Sequence, residues 1–342
     1  MKTEKQLLNK MCSPGNALLA YRKARKCKRY RPDVLQFEAN REINLLRAIE
    51  DLKNGTYTAG KYFVFKVFEP KERLIMALPF YDRVIQHMIV NVVEPIFNRR
   101  FIMHSYACRK DKGVHEASKA LARWLYNLQV RQGKKIYAIK ADVHHYFQSI
   151  DHEILKAEVR RYISDKAVIK LLDYIIDYNG IYPDGVGIPV GNLTSQIFAN
   201  VYLNILDHYI KHDLGVQYYI RYMDDFVILG EDPAELRELL AKIEKFLNEK
   251  LRLSLNPKTK IIAAKNGVDF AGYRHFPSFV ICRKAATRRI RKLIHSFETG
   301  EISEEYFNKS IESRMGHIEH ADTYRLCASI RAEIRALKVD NK

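Results

Sequence analysis

One stretch, residues 217–230, constrains the fold of this chain more than any other. Its first half alternates between two sets of side chains with the period of a β-strand. Residues 226–229 form a second short apolar run, and Asp224 and Asp225 lie between the two runs. The pattern predicts a β-hairpin that carries two carboxylates at its turn.

Adjacent carboxylates between apolar strands repel each other and resist burial. A bound divalent cation would reverse that cost, since hard oxygen ligands suit Mg²⁺. A solvated acidic turn is the alternative, and the stretch alone leaves both interpretations open.

Two further stretches extend the pattern. Residues 134–142 have the composition of a strand that ends at Asp142, far in sequence from the acidic hairpin. Residues 187–204 combine a loop rich in Gly and Pro with a helical pattern. An acid at the end of a buried strand and two acids on a hairpin suit a metal site whose ligands come from separate segments.

These stretches resemble the A, B and C motifs of reverse transcriptases, in the family's order and spacing. The first motif is Asp142 with Phe147 five residues later, the second lies within residues 187–204, and the third is Tyr222–Asp225. The resemblance covers nearly the whole chain. Residues 191–200 and 316–324 are most similar to the reverse transcriptases of diversity-generating retroelements, which are related to group II intron and retron enzymes.

The resemblance implies an α+β right-hand polymerase with fingers, a palm of antiparallel sheet plus helices, and a helical thumb. We expect a basic N-terminal arm with helices at 1–60, fingers and palm at 61–275, and the thumb at 276–342.

The implied reaction is RNA-templated DNA synthesis assisted by two Mg²⁺ ions, for which Mn²⁺ could substitute. By resemblance, the catalytic residues are Asp142, Asp224 and Asp225, and the carbonyl of Val143 is a further metal ligand. Neighbours on a strand point to opposite faces, so Asp224 and Asp225 reach one site only if the turn bends the chain.

The resemblance also assigns the residues that contact the incoming nucleotide: Lys71, Arg73, Arg109, Phe147, Val190, Gly191, Gln196 and Lys258. Phe147 would pack under the ribose and leave no volume for a 2′-hydroxyl, with a core aromatic as the alternative. Lys258 would protonate pyrophosphate or simply contact a phosphate. Many relatives carry Gln at the position of Val190. We expect the absence of that Gln here to lower fidelity opposite template adenine.

The charge balance points to a polyanionic partner. Lys and Arg number 58 against 40 acids, for a net charge of +18. Basic residues concentrate at 16–31 and 283–292, although a solvated helix face would look similar. The predicted contacts to nucleic acid are Arg22, Lys23, Arg25, Arg288, Arg289 and Arg291. The implied partners are an RNA template, a DNA or RNA primer and deoxynucleoside triphosphates.

Other sequence features bear on where in the cell the protein is located. No apolar run approaches the length of a membrane span, and the residues after Met1 lack a secretory apolar region. The five cysteines include no C-x-x-C pair, so we expect reduced thiols in a cytoplasmic protein without membrane attachment.

Three biological roles stay open at this stage. A retroelement enzyme would be error-prone at template adenines and would work with a small basic accessory protein. An antiphage-defence reverse transcriptase would copy a dedicated non-coding RNA or make DNA without an ordinary template. A non-catalytic RNA-binding scaffold is the alternative from another class, and the intact acids Asp142, Asp224 and Asp225 argue against it.

Overall fold

The computed structural model describes residues 6–68 and 72–340 and divides into two compact units that interleave along the chain. The first unit comprises Met1–Cys108, Val143–Gly215 and Lys242–Pro257. The second unit comprises Arg109–Asp142, Val216–Ala241 and Lys258–Lys342. The compact units have other boundaries than the domains predicted to end at residues 60 and 275. Those domain boundaries stay predictions.

Within the described residues the elements alternate between helices and short strands. The helices are α1 (Leu7–Met11), α2 (Pro14–Arg25), α3 (Pro32–Ala39), α4 (Arg41–Asn54), α5 (Phe80–Asn98), α6 (Val114–Leu125), α7 (His152–Arg160), α8 (Lys166–Asp177), α9 (Leu193–His208), α10 (Pro233–Leu251), α11 (Lys284–Glu298), α12 (Glu304–Ile318) and α13 (Tyr324–Asp340). The strands are β1 (Phe63–Val67), β2 (Arg73–Ala77), β3 (Tyr137–Asp142), β4 (Tyr219–Tyr222), β5 (Asp225–Gly230), β6 (Lys260–Ala263), β7 (Val268–Phe270), β8 (Tyr273–His275) and β9 (Val280–Cys282).

The first unit is mainly helical, and its core lies along α5, which packs against α2 and α9. α5 is buried over most of its length, so its apolar residues face neighbours on more than one side. β1 and β2 form an antiparallel hairpin in which Phe63 pairs with Ala77 and Val67 with Arg73. The apolar runs at residues 62–67 and 74–78 predict this hairpin, and the basic turn between them includes Lys71, which lies outside the described residues.

The apolar pattern of residues 35–54 predicts a single helix that ends at Gly55. The single helix is wrong, because the chain breaks at Asn40 into α3 and α4. The backbone leaves the helical region there, and the amide of Asn44 donates to the carbonyl oxygen of Phe37 at 3.0 Å. Asn side chains compete in this way for backbone partners and favour helix ends. The predicted stop at Gly55 is confirmed, with a φ of 67° at the C-cap.

The second unit contains two antiparallel sheets. One has the strand order β4-β5-β3-β6, and the other is the short meander β7-β8-β9. In the first sheet Asp142 pairs with Asp225, and Tyr222 pairs with Asp225 from the other side. Antiparallel sheets combined with helices agree with the predicted α+β class.

α11 to α13 share an apolar core with the short sheet of the second unit. That core includes Tyr273 from β8, Ile290 from α11, Phe307 from α12 and Ile330 from α13, all with at most 2% of their surface exposed. The predicted helix at 284–298 is confirmed. The other two were predicted at 303–313 and 321–338 and instead span α12 and α13, because burial of Met315 and Ile318 extends α12.

Two general features complete the fold. All five cysteines are free thiols: Cys12, Cys27, Cys108, Cys282 and Cys327. Among the helices of the described residues, none has the length and apolar character that crossing a bilayer requires.

Candidate active site

The predicted carboxylates of the second unit are arranged by the ladder of its larger sheet. Asp142 is the last residue of β3 and Asp225 is the first residue of β5, and the two are direct cross-strand partners. Paired residues of an antiparallel ladder project from the same face, so these two carboxylates share one face of the sheet. The hairpin predicted around the acids is present, with Asp225 inside β5 rather than in the turn.

The turn between β4 and β5 consists of Met223 and Asp224. Met223 has a φ of 58°, in the left-handed region that few residues other than glycine adopt. Two-residue hairpin turns require a positive φ at their first central position, which explains the conformation. The strain is of the order of 1 kcal/mol and falls directly before Asp224, at the tip of the hairpin.

Arg221 supports this turn from within the fold. Its side chain is fully buried on β4, and Nη1 donates to the carbonyl oxygen of Met223 at 2.8 Å. Strand alternation did not single out Arg221, because Tyr219, Ile220 and Arg221 are all buried and β4 is covered on both faces. A cation within an apolar strand next to paired acids is the signal that could have identified it.

Lys140 is a second residue that sequence reasoning missed. It lies two positions before Asp142 on the same face of β3, and its ammonium forms an ion pair with the carboxylate of Asp225. Burial lowers the pKa of Lys140 to about 8, although the nearby carboxylates of Asp142 and Asp224 oppose that shift. At neutral pH the ammonium is still mostly protonated and offsets part of the repulsion among the acids.

The acids have the donor chemistry of a divalent metal site. Carboxylate oxygens suit hard cations such as Mg²⁺, and the shared face of Asp142 and Asp225 brings two of them together. The described part of the chain contains no group of three His, Cys, Asp or Glu side chains already arranged for a metal ion. Asp225 is paired with Lys140, and the metal-ligand roles of Asp142, Asp224 and Asp225 stay predictions.

Val143 begins the next segment of the first unit and forms an isolated antiparallel bridge with Leu255. Phe147 follows on a short 3₁₀ helix, Tyr146–Gln148. The hydroxyl of Tyr146 donates to the carbonyl oxygen of Ala199 at 2.5 Å, which anchors the 3₁₀ helix to α9. Phe147 itself is half-buried, so its ring is neither a core residue nor fully exposed.

The predicted nucleotide loop at Val190 and Gly191 is fixed against β2. The backbone N–H of Met76 donates to the carbonyl oxygen of Val190 at 2.9 Å. Gly191 has a φ of 128°, and a Cβ there would lie 2.8 Å from the carbonyl oxygen of Met76. Only glycine fits this close approach of two backbones.

The loop leads into α9 through Asn192. The amide of Asn192 donates to the hydroxyl of Tyr62 at 2.9 Å, and the backbone N–H of Leu193 donates to Oε1 of Gln86 at 3.0 Å. The start of α9 is therefore hydrogen-bonded both to Tyr62, directly before β1, and to Gln86 of α5. Gln196 lies one turn further on, with its side chain exposed.

The remaining predicted nucleotide contacts divide between the units. Arg73 is exposed at the start of β2 in the first unit. Arg109, half-buried, and Lys258, exposed, belong to the second unit. Their roles stay predictions.

The predicted nucleic-acid contacts are mostly accessible. Arg22 is exposed on α2, and Lys23 donates to Oδ1 of Asn91 at 2.6 Å. Arg25 is engaged within the protein, where Nη1 lies 2.7 Å from Oε1 of Glu38 and 2.6 Å from the hydroxyl of Tyr21. On α11, Arg288 and Arg291 are exposed and Arg289 is half-buried, as one basic face of an amphipathic helix requires.

Asp82 and Arg83, in the first turn of α5, make their polar contacts within the first unit. Asp82 is buried, and its carboxylate accepts hydrogen bonds from the hydroxyl of Tyr57 at 2.8 Å and from the backbone N–H of Gly60 at 3.2 Å. Arg83 donates to the carbonyl oxygen of Leu78 at 3.0 Å and lies 3.5 Å from Asp33.

The sequence of this chain also matches a known protein family. Residues 66–275 match the family model described as reverse transcriptase (RNA-dependent DNA polymerase). Because the match spans more than half of the chain, this protein belongs to the reverse transcriptases and is an RNA-directed DNA polymerase. Divalent-metal dependence is general in that family.

Two relatives illustrate the range of similarity. Protein YkfC of Escherichia coli (strain K12) is 27% identical over 282 residues, covering 70% of this chain and 73% of that protein. The group II intron-encoded protein LtrA of Lactococcus lactis subsp. cremoris is 25% identical over 180 residues, covering 49% of this chain and 28% of that protein.

Solved telomerase structures share the fold. Apo telomerase from Candida tropicalis has a TM-score of 0.51 at 13% identity, over 67% of this chain and 49% of that one. Telomerase from Candida albicans in complex with a fragment of telomeric RNA has a TM-score of 0.50 at 12% identity, over 81% of this chain and 54% of that one. The chain thus spans about half of these polymerases, and at such identity the likeness concerns the right-hand fold alone.

Proposed function

We propose that this protein extends a primer along an RNA template, with Asp142 and Asp224 holding two Mg²⁺ ions at the polymerising end. The observation that carries the proposal is the paired placement of Asp142 and Asp225, with Asp224 in the adjoining turn. When bound, two divalent cations stabilise the charge on the attacking and leaving oxygens of an in-line displacement. Mn²⁺ could replace Mg²⁺.

The chain's own residues have separate tasks in the reaction. The primer 3′-hydroxyl gives up its proton to water, its oxygen forms a bond to the α-phosphorus of the nucleotide, and the bond from that phosphorus to pyrophosphate breaks. Lys258, an exposed ammonium, is the donor we assign to the departing pyrophosphate. Lys140 orients Asp225 through their ion pair. Arg221 holds the carbonyl of Met223 and so fixes the backbone that carries Asp224.

Primer extension tests this function. A labelled primer annealed to a defined RNA should lengthen with deoxynucleotides and Mg²⁺, and lengthening should stop when a chelator is added. A binding protein without catalysis would retain the RNA and leave the primer unextended under both conditions.

Selection of the sugar is assigned to Phe147. Its half-buried ring on the 3₁₀ helix leaves it available to pack under a ribose. Phe147→Ala should raise incorporation of ribonucleotides relative to deoxyribonucleotides by roughly 10- to 100-fold, because one lost steric exclusion amounts to about 1.4–2.8 kcal/mol. Tyr209→Ala is the control, because Tyr209 is another half-buried aromatic of the same unit and stacks on Phe246, not on the 3₁₀ helix. An unchanged ratio in Phe147→Ala would make the ring structural.

We assign the enzyme to the diversity-generating retroelement type, with elevated misincorporation opposite template adenine. The resemblance at residues 191–200 and 316–324 supports the assignment, as does the branched apolar side chain of Val190 beside the fixed Gly191. The associated partners would be a small basic accessory protein and an RNA with a template repeat. Sequencing of the nucleic acid that copurifies with the protein distinguishes this role from copying of a dedicated non-coding RNA in defence.

A further inference from the structure

The second unit contains an aromatic pocket that the polymerase reaction does not use. Its volume is 240 Å³. It lies between the end of α6 and the turn that joins β8 to β9, and its lining includes Arg123, Tyr126, Phe276, Phe279, Val280 and Asp322. We call it the turn pocket.

Aromatic rings dominate the accessible lining of the turn pocket. Phe276 and Phe279 stack with their ring centroids 4.5 Å apart and their planes 18° from parallel. A backbone hydrogen bond of 2.8 Å from Phe276 N to Phe279 O closes the turn and holds the pair. Phe279 is 45% exposed and Tyr126 is 43% exposed. The exposed parts of these rings form an apolar surface that a ligand can reach.

Cations surround these rings. Arg123 lines the turn pocket and is exposed. The guanidinium of Arg131 lies 5.7 Å from the ring centroid of Tyr126, and that of Arg274 lies 5.6 Å from the ring centroid of Phe276. Asp322 is the acid of the lining, and its carboxylate accepts a hydrogen bond of 2.7 Å from the backbone N–H of Val280. The charge at the rim therefore favours an anionic ligand.

The turn pocket lies away from the turn at Gly272, which belongs to residues 270–274, a segment that resembles the primer-grip motif of reverse transcriptases. α6 runs alongside β8, since His115 Nδ1 lies 2.9 Å from the hydroxyl of Tyr273 and Ser118 Oγ lies 2.7 Å from His275 Nε2. The turn pocket follows at Tyr126. Eleven residues of helix from His115 to Tyr126 correspond to about 16 Å.

We propose that the turn pocket binds an unpaired nucleotide of RNA, with the base on the Tyr126 and Phe279 rings and the phosphate at Arg123. Stacking platforms bordered by arginines are the usual means of holding single strands, because every base has a π-face. A volume of 240 Å³ is smaller than the roughly 300–1,000 Å³ of pockets for drug-sized ligands, so it suits one base.

The inference extends the proposed function and rests on it in one respect, that RNA is what the enzyme handles. An unpaired RNA segment held at this distance from the Gly272 turn would add affinity without occupying the primer end. It would also favour an RNA with a single-stranded region over a plain hybrid. A protein segment is the competing occupant, and the charge of the rim argues against it.

Binding measurements with two probes test the proposal. One probe is a blunt RNA–DNA hybrid, and the other is the same hybrid with a long unpaired RNA tail. Tyr126→Ala and Phe279→Ala should each weaken binding of the tailed probe by roughly 5- to 150-fold, the range expected for one stacked base, and leave binding of the blunt probe unchanged. Arg123→Gln should lower the salt slope for the tailed probe by at most about 0.7.

Tyr306→Ala is the matched control, since Tyr306 is 54% exposed on α12 of the same unit and lies outside the turn pocket. It should change binding of neither probe. Primer extension by the wild-type enzyme on the blunt hybrid tests the proposed function by itself, so failure of that function is distinguishable from failure of the pocket.

Photocrosslinking of the wild-type protein gives an answer that does not depend on folding of a variant. RNA tails that contain 5-iodouridine should crosslink to Tyr126 or to the peptide that contains residues 276–279. Crosslinks confined to other segments would overturn the proposal. So would tailed-probe affinity that Tyr126→Ala and Phe279→Ala leave unchanged, or that Tyr306→Ala reduces equally.

Discussion

The carboxylate strands of the second unit and the Val190–Gly191 loop of the first unit are positioned by opposite means. A ladder of backbone hydrogen bonds places Asp142 opposite Asp225, and the side chains of those residues are not needed for the pairing. The Gly191 loop is placed by the absence of a side chain, because its backbone approaches the carbonyl of Met76 too closely for a Cβ.

The difference separates two kinds of sensitivity. Where the ladder carries the geometry, a functional side chain can be removed while the fold persists. Where a close backbone approach carries the geometry, adding a single carbon changes the fold before any chemistry is affected. We therefore expect substitutions among the carboxylate strands to lower activity without lowering stability. In the Val190–Gly191 loop, activity and stability should fall together.

The largest effect is expected from Asp224→Ala. Nucleotide incorporation should fall by at least about 1,000-fold, which corresponds to about 4 kcal/mol of transition-state stabilisation. The free energy of unfolding should change by less than about 1 kcal/mol, because the turn is held by Arg221 and the ladder. Primer extension and chemical denaturation measure the two quantities.

Asp184→Ala provides the control for Asp224→Ala, since Asp184 is an exposed acid in a loop of the first unit. It should leave both quantities unchanged. If Asp224→Ala keeps a tenth of the wild-type synthesis, the metal-ligand role of Asp224 is wrong.

Gly191→Ala should lower the free energy of unfolding by about 1–3 kcal/mol and reduce synthesis together with it. The new Cβ would meet the Met76 carbonyl oxygen at 2.8 Å, and a φ of 128° is itself unfavourable for alanine. Gly185→Ala is a matched control, because Gly185 has a φ of 79° with no atom within 4 Å of the added Cβ. Equal losses in the two variants would show that backbone conformation, not the contact with β2, is what Gly191 supplies.

Acid should destabilise both units through two histidines, the buried His275 of the second unit and the half-buried His87 of the first unit. Burial lowers the pKa of His275 in the second unit and of His87 in the first unit to about 4. The unfolded chain, with a histidine pKa of about 6.5, binds more protons below that pH. The contribution of the two histidines to stability is therefore fully present above pH 6.5 and is lost as the pH falls toward 4. His275 alone should contribute a loss of about 2 kcal/mol between pH 7 and pH 5.

Denaturation at pH 7 and pH 5 of His275→Gln and His87→Gln separates the two contributions. His275 is the sharper case because its ring is fully buried, with Nδ1 3.2 Å from the carbonyl oxygen of Val268 and Nε2 2.7 Å from Ser118 Oγ. If His275→Gln keeps the whole wild-type difference between the two pH values, His275 is not the titrating group.

The smallest effect is expected from Val190→Gln, which changes a side chain of the loop without touching the Gly191 contact. Errors opposite template adenine should fall by up to about tenfold, equivalent to 1.4 kcal/mol of selectivity. Stability should not change, since Val190 is joined to Met76 through its carbonyl oxygen. Sequencing of DNA made on a defined RNA reports the error rate. Equal wild-type error rates at all four template bases would contradict the retroelement assignment.

The sequence predicts most of the carboxylate region because its signals are local. Period-two alternation and the motif spacing identify β3, β4 and β5 and put acids at their ends. The same reasoning misses Arg221 and Lys140, because alternation cannot report that a strand is covered on both faces or that a cation sits beside a carboxylate.

The loop region and the turn pocket depend on contacts between distant parts of the chain. Nothing near Gly191 in sequence indicates that Met76 lies against it, although a glycine in a motif does suggest a close approach. Tyr126 and Phe279 belong to different elements, and only the packing of α6 along β8 brings them to one pocket. The break at Asn40 has a local cause, but helical propensity on both sides conceals it.

Interleaving of the two units has a consequence for how this enzyme can be altered. The chain passes from one unit to the other at several points, and one passage is the peptide bond between Asp142 and Val143. Each unit consists of several separate segments of the chain. A single cleavage therefore cannot release either unit, and a single insertion cannot transfer one to another protein. Exchange of one unit between relatives would require several simultaneous crossovers, one of them at the peptide bond that follows Asp142.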